Sequence, residues 1–160
     1  MKHIRKIDFV VIFVTVSALI FLVGYINPKV IAPLDELETV ETNILFSIDN
    51  AERILIDDNI DFTTPEEYFI GDGLKINLEP GTYYWKAVGL RTSEIRTLTI
   101  KSLVSLELRE SEEGFDVVNS GNVRLNVDIY NGSDLVESIK LKKGEEAKSF
   151  GDKFVGWFDG

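Results

Sequence analysis

The chain has 160 residues, 44% hydrophobic and 11% aromatic with only 4 Pro, a composition that excludes a disordered stalk. Its net charge is −10, and beyond residue 26 it carries 14 bases against 26 acids, an exterior that repels nucleic acid and anionic lipid headgroups. Cysteine is absent, which excludes disulfides, cysteine-ligated zinc and thiol nucleophiles; a domain outside the membrane must then hold by packing alone, which suits a prokaryotic protein better than an animal surface protein.

The first predicted element is a helix. Phe9–Ile26, FVVIFVTVSALIFLVGYI, runs for eighteen residues without a charge. At ~1.5 Å per residue that spans ~27 Å, close to the hydrocarbon thickness of a bilayer. It is apolar all round rather than striped, which suits lipid more than a protein core. Lys2, Arg5 and Lys6 precede it, so the positive-inside bias keeps residues 1–8 in the cytoplasm and delivers the remainder outside. A cleaved signal peptide fits less well, because the apolar run exceeds the usual ~7–15 residues and no small-x-small site follows. A buried soluble helix fits least. Asp8 sits at the cytoplasmic edge, where it stays hydrated. Residues 27–42 read as a linker, with Pro28 and Pro33 opposing helix and four acids keeping it solvated; its later part is a candidate first edge strand.

The period then changes from helical to two. Ile44, Phe46 and Ile48 form one apolar face, Arg53–Ile56 is a short run closed by Asp57-Asp58-Asn59, and Tyr68 and Ile70 end at Gly71-Asp72-Gly73. Leu74, Ile76 and Leu78 alternate up to the turn Glu79-Pro80-Gly81, followed by Thr82–Val88 and Ile95–Ile100. Alternation puts Tyr83, Trp85 and Ala87 on one face, and Trp85 is placed in the core. Turn signals every ~8–12 residues predict an antiparallel sandwich over 43–101.

These residues resemble a known family. Leu78-Glu79-Pro80-Gly81-Thr82-Tyr83-Tyr84-Trp85 looks like the E–F corner and F strand of fibronectin type III-like domains. Ile56–Phe62 resembles the C-to-C′ bend of bacterial and archaeal versions, and Ser93–Ile100 their closing strand. The corner tyrosine is Tyr83 or Tyr84. The domain is short for the family, and its first two strands are not clearly separable. The resemblance implies a fold and an adhesive or spacer role, not an activity.

Leu98, Ile100, Ser102, Val104, Leu106 and Leu108 keep one parity without Gly or Pro, which predicts a strand continuing stiffly into a second β unit, 102–160; a single larger sandwich reaching about residue 150 is the alternative. In that unit Val123, Leu125, Val127 and Ile129 alternate cleanly. Parity then favours a three-residue hairpin loop, Asn131–Ser133, pairing Ile129 with Leu135 and Leu125 with Ile139. The hairpin and the Asn119–Val123 pattern loosely resemble Ig-like modules of prokaryotic surface proteins. Lys142-Lys143-Gly144-Glu145-Glu146 reads as the following turn. The tail Phe154–Phe158 packs back on the sheet, frays or docks a partner.

Chemistry-bearing constellations are sparse. His3, the only histidine, lies on the cytoplasmic side, so Ser-His-Asp triads and most zinc sites outside are excluded. Asp57-x-Asn59-x-Asp61 resembles the opening of a calcium loop, but Phe62 and Tyr68 stand where that loop needs Gly and Glu; an acidic bend with Asx turns fits better. Glu66-Glu67 and Glu112-Glu113 are adjacent acids that strand geometry points apart. Asn131-Gly132-Ser133 is a glycosylation sequon that also serves as a turn. No catalytic, cofactor-binding or metal residue is assigned. The expectation is all-β: Ig/fibronectin III-like sandwich modules behind one transmembrane helix, in the cell membrane, binding a protein or surface polymer, with no catalysis and no cofactor. An accessory subunit of an envelope complex is the alternative, and a carboxylate hydrolase the remotest.

Overall fold

A computed structural model describes residues 2–71, 73–112 and 114–158, with the side chains of 2–6 and 23–25 outside the description. The chain is mostly β, with antiparallel sheets behind one helix, α1 (Lys2–Ile26). Every described side chain from Ile7 to Leu22 is exposed. Thr15 Oγ1 donates to Val11 O at 2.8 Å, so its hydroxyl is satisfied inside the helix. Among the described residues no helix is long and apolar enough to cross a membrane. The basic flank of Lys2, Arg5 and Lys6, and His3 with it, has its side chains outside the described residues, as do Gly24 and Tyr25.

Contacts divide the chain into two compact units. The first is Met1–Glu36, Leu45–Lys75 and Tyr83–Leu98; the second is Leu37–Ile44, Ile76–Thr82 and Thr99–Gly160. The strands β1 (Lys29–Ala32), β2 (Leu37–Thr39), β3 (Asn43–Asp49), β4 (Arg53–Asp57), β5 (Glu66–Phe69), β6 (Leu74–Asn77), β7 (Gly81–Val88) and β8 (Arg96–Ile100) come first. Their sheets have the orders β1-β3-β6 and β2-β8-β7-β4-β5.

Strand structure therefore begins at Lys29, inside the stretch expected to be a linker. Val30 and Ile31 are the cause. They supply enough β-branched surface for β1 to pair with β3, Lys29 opposite Asp49 and Val30 opposite Ile48. Pro33, which has no N–H for a ladder, falls between β1 and β2. Asp72 of the expected Gly71–Gly73 turn lies outside the described residues.

In the first unit the alternation is realised as burial. Phe46, Ile54, Trp85, Ala87 and Leu98 are completely buried. Phe46 on β3 meets Trp85 on β7 edge to face, centroids 5.1 Å apart at 88°. The Arg96 guanidinium lies 5.9 Å from the centre of the same indole. Trp85 Nε1 has no hydrogen-bond partner among the described residues.

The second unit adds β9 (Leu106–Ser111), β10 (Gly114–Asn119), β11 (Leu125–Asn131), β12 (Asp134–Leu141), β13 (Glu146–Ser149) and β14 (Lys153–Trp157), in sheets β13-β10-β9 and β12-β11-β14. Its core is aliphatic: Val117, Leu125, Val127, Ile129 and Leu141, with Leu106, Ile139, Ala147 and Phe154 packed around them. The tail is β14, paired along β11 from Tyr130–Lys153 to Asn126–Trp157, and Phe154 meets Phe115 edge to face, centroids 5.6 Å apart at 71°.

Two expectations here are corrected. The strand does not run through from Leu98 to Leu108: residues 101–105 leave the ladder between β8 and β9. The Asn122 side chain holds them instead, donating to Val40 O at 2.7 Å and Lys101 O at 2.8 Å while accepting from Leu103 N at 2.6 Å. A backbone that receives side-chain partners no longer needs a neighbouring strand. The hairpin loop is also two residues, Gly132-Ser133, between the pair Asn131–Asp134. The extra residue sits in β12, where a bulge at Val136 restores parity, so Leu125 faces Leu141 and Val127 faces Ile139. A bulge and an odd loop solve the same parity problem, and alternation alone does not distinguish them.

Candidate functional site

The acidic bend after β4 uses its carboxylates on its own backbone. Asp57 is buried; its Oδ1 accepts from Asn59 N at 3.0 Å and its Oδ2 from Thr64 N at 2.9 Å. Asn59 Oδ1 accepts from Asp61 N at 3.0 Å, and Phe62 takes a positive φ of 51°. Burial works against ionisation of Asp57. The amide donors of Thr64 and Asn59, with help from Asp58, outweigh it and hold the carboxyl below the usual aspartate range. Oxygens already spent on amides are poor cation ligands, and among the described residues no His, Cys, Asp or Glu cluster is placed to hold a metal.

Glu66 and Glu67 each engage a different partner. Glu67 binds Arg53 Nε at 2.7 Å, whereas Glu66 accepts the Tyr68 hydroxyl, which with burial pushes that phenol up to about 12. Glu113 lies outside the described residues. The sequon Asn131-Gly132-Ser133 is exposed at the hairpin tip, where Gly132 N donates to the Asp152 carboxylate at 2.9 Å.

One concave feature of the second unit was not anticipated from the sequence. A cleft of about 510 Å³ is lined by Arg124, Lys142 and Lys143 together with Asn77–Pro80 and Phe158. Glu79 is the one acid in its lining. The ladder explains the cations. Leu125 faces Leu141, so Arg124 and Lys142 come together one step beyond the paired residues, where like charges disfavour each other. Lys143 Nζ donates to Thr42 Oγ1, a neutral partner. The lining thus carries three cations, Arg124, Lys142 and Lys143, against the single carboxylate of Glu79.

The walls are rigid for identifiable reasons. Asn119, completely buried, donates to Val123 O at 2.8 Å and Leu141 O at 3.0 Å and accepts from Gly121 N at 3.0 Å, fixing both segments that carry the cations. A Cβ on Gly121 would lie 2.2 Å from Leu103 O, so only glycine allows that turn to close. Glu145 Oε2 accepts Lys142 N at 2.7 Å and sets the β12–β13 turn. The signal available in the sequence was Lys142-Lys143 standing in an otherwise acidic chain. No protein-family model, no curated protein and no solved structure matches this chain.

Proposed function

We propose that this chain is a single-pass membrane protein whose β units face outward and work by binding, adhesion or spacing, without catalysis. The observation that carries this reading is α1, an apolar rod whose described side chains, Ile7 to Leu22, touch water rather than protein. An apolar surface of that kind needs a cover, and the eighteen uncharged residues Phe9–Ile26 of the sequence, ~27 Å as a helix, match a bilayer's hydrocarbon layer. The uncharged run continues through residues 23–25, whose side chains are outside the description, to Ile26, and the bases before it favour an amino terminus on the cytoplasmic side.

Two further observations support the finer parts. The orders β1-β3-β6 and β2-β8-β7-β4-β5 suit a fibronectin III-like sandwich, with β4, β5, β7 and β8 as its C, C′, F and G strands. The cleft of Arg124, Lys142 and Lys143 is the binding surface in this account. Its lining holds three cations against one acid, so it suits an anionic surface polymer or an acidic protein segment.

Membrane extraction tests the core of the proposal. The full chain is expected to stay with membranes through an alkaline carbonate wash. Val14→Lys with Ile20→Lys, each costing about 2.5–3.5 kcal/mol of insertion near a helix centre, is expected to release it. Quantitative release of the unmodified chain would end the reading.

A further inference from the structure

In the first unit, the turns nearest the exit of α1 carry unusually exposed apolar side chains. Asn50 Nδ2 donates to Asn27 O at 3.4 Å, one residue beyond the helix. Ile26 lines a cleft of about 290 Å³ together with Asn50, Ala51, Glu52, Gly89 and Leu90. The approach is close: a Cβ on Gly89 would lie 2.4 Å from Asn50 O.

The ladder brings a third turn to the same end. Arg53 faces Val88 on one side and Phe69 on the other, Glu52 N donates to Val88 O at 2.9 Å, and Ile70 N donates to Glu52 O at 2.9 Å. The segments 49–52, 69–71 and 88–91 therefore gather around the helix exit. Leu90 is 83% exposed and Phe69 71%. A single exposed leucine on a soluble surface would need no explanation. Here Leu90 shares a cleft with the last residue of an apolar helix, Phe69 lies at the same end of the ladder, and Arg91 follows Leu90 in the chain.

We infer that this end of the first unit rests on the lipid surface, with Leu90 and Phe69 inserted among the headgroups and Arg91 at the phosphate level. The inference rests on the anchoring of α1 proposed above. If the helix crosses the bilayer up to Ile26, Leu90, which shares a cleft with Ile26, and Phe69, at the same end of the ladder, fall in the ~5–10 Å interfacial layer, where apolar tips are favoured. The acidic remainder of the chain is repelled by anionic headgroups, so contact is confined to this end. A strap of this kind limits tilting of the unit on its short connection to the helix, and gives the anchored protein a preferred orientation.

The absence of cysteine makes the test clean. Four single-cysteine variants of the full chain, Val14→Cys, Leu90→Cys, Phe69→Cys and Ile60→Cys, carry one environment-sensitive fluorophore each in phosphatidylcholine vesicles. Ile60, 54% exposed, follows the far end of β4 and is the control. Quenching is read with lipids bearing a nitroxide at the headgroup or deep in the acyl chain. The expected result is deep quenching at 14, headgroup quenching of at least about twofold at 90 and 69, and none at 60. Deep quenching at 14 with positions 90 and 69 behaving like 60 overturns the inference while leaving the anchor intact. No quenching at 14 overturns the anchor, and the inference with it.

Discussion

The two compact units solve the same packing problem with different materials. The first centres on a ring pair, Phe46 against Trp85, and loses nothing to solvent at either residue. The second has an aliphatic core, and its most buried polar group is the Asn119 amide, which ties three backbone groups together. A large ring removes much apolar area in one piece. A buried amide adds little net energy while its partners are present, yet its loss strands all of them. The comparison teaches where each unit is vulnerable: the first to loss of volume, the second to loss of hydrogen bonding near its cleft.

The largest effect is expected from Trp85→Ala, about 3–5 kcal/mol of destabilisation in chemical denaturation, because a completely buried indole leaves a cavity. Trp85→Phe should cost distinctly less, since it keeps a ring and removes an N–H without a described partner. Trp157 lies in the second unit, so Trp157→Phe leaves Trp85 as a fluorescent reporter of the first alone. In the second unit, Leu125→Ala is expected to cost about 2–5 kcal/mol. Asn119→Ala should cost about 1–3 kcal/mol, and Asn119→Leu no less, because the carbonyls of Val123 and Leu141 lose their donor either way. A neutral outcome for Asn119→Leu would show that the amide is not what fixes those turns.

Acid sharpens the contrast between the units. The folded pKa of Asp57 is depressed, so its contribution is complete above the usual aspartate range and is lost as pH falls through the lowered value. Denaturation followed at Trp85 should therefore weaken below about pH 4 in the parent chain, and less steeply in Asp57→Asn. Identical slopes would contradict the amide-bonded carboxylate. The smallest stability effect is expected at the cleft. Lys142→Gln with Lys143→Gln should leave stability within about 0.5 kcal/mol, because both side chains are exposed. The same pair of changes should abolish salt-sensitive retention of the chain on an immobilised polyanion. Unchanged retention would remove the cleft from the account.

Much of the β architecture was legible because alternation is a local signal. Ile44-Phe46-Ile48 and Val123 through Ile129 announce their buried faces within seven residues each, and both are buried. Strands β1 and β2 were harder, since four and three residues give too few alternations and acids surround them. The hairpin register was missed because parity fixes a face but not where an extra residue resides. The cleft was missed for a different reason: it assembles residues 77–80, 122–124 and 142–143, whose proximity depends on the ladder. The Asx turns of the acidic bend were legible in the alternation Asp57-x-Asn59-x-Asp61, where Asp57 and Asn59 each accept from the amide two residues on.

The central claim is that α1 carries the chain across a membrane, with the β units outside. Cysteine accessibility in intact cells tests it most directly, using the full chain with either Lys2→Cys or Ser133→Cys and a membrane-impermeant maleimide. Ser133 lies in the exposed hairpin loop, and the account predicts that it is labelled in intact cells, whereas position 2 is labelled only after lysis. Labelling of position 133 only after lysis would place the β units on the cytoplasmic side and contradict the account.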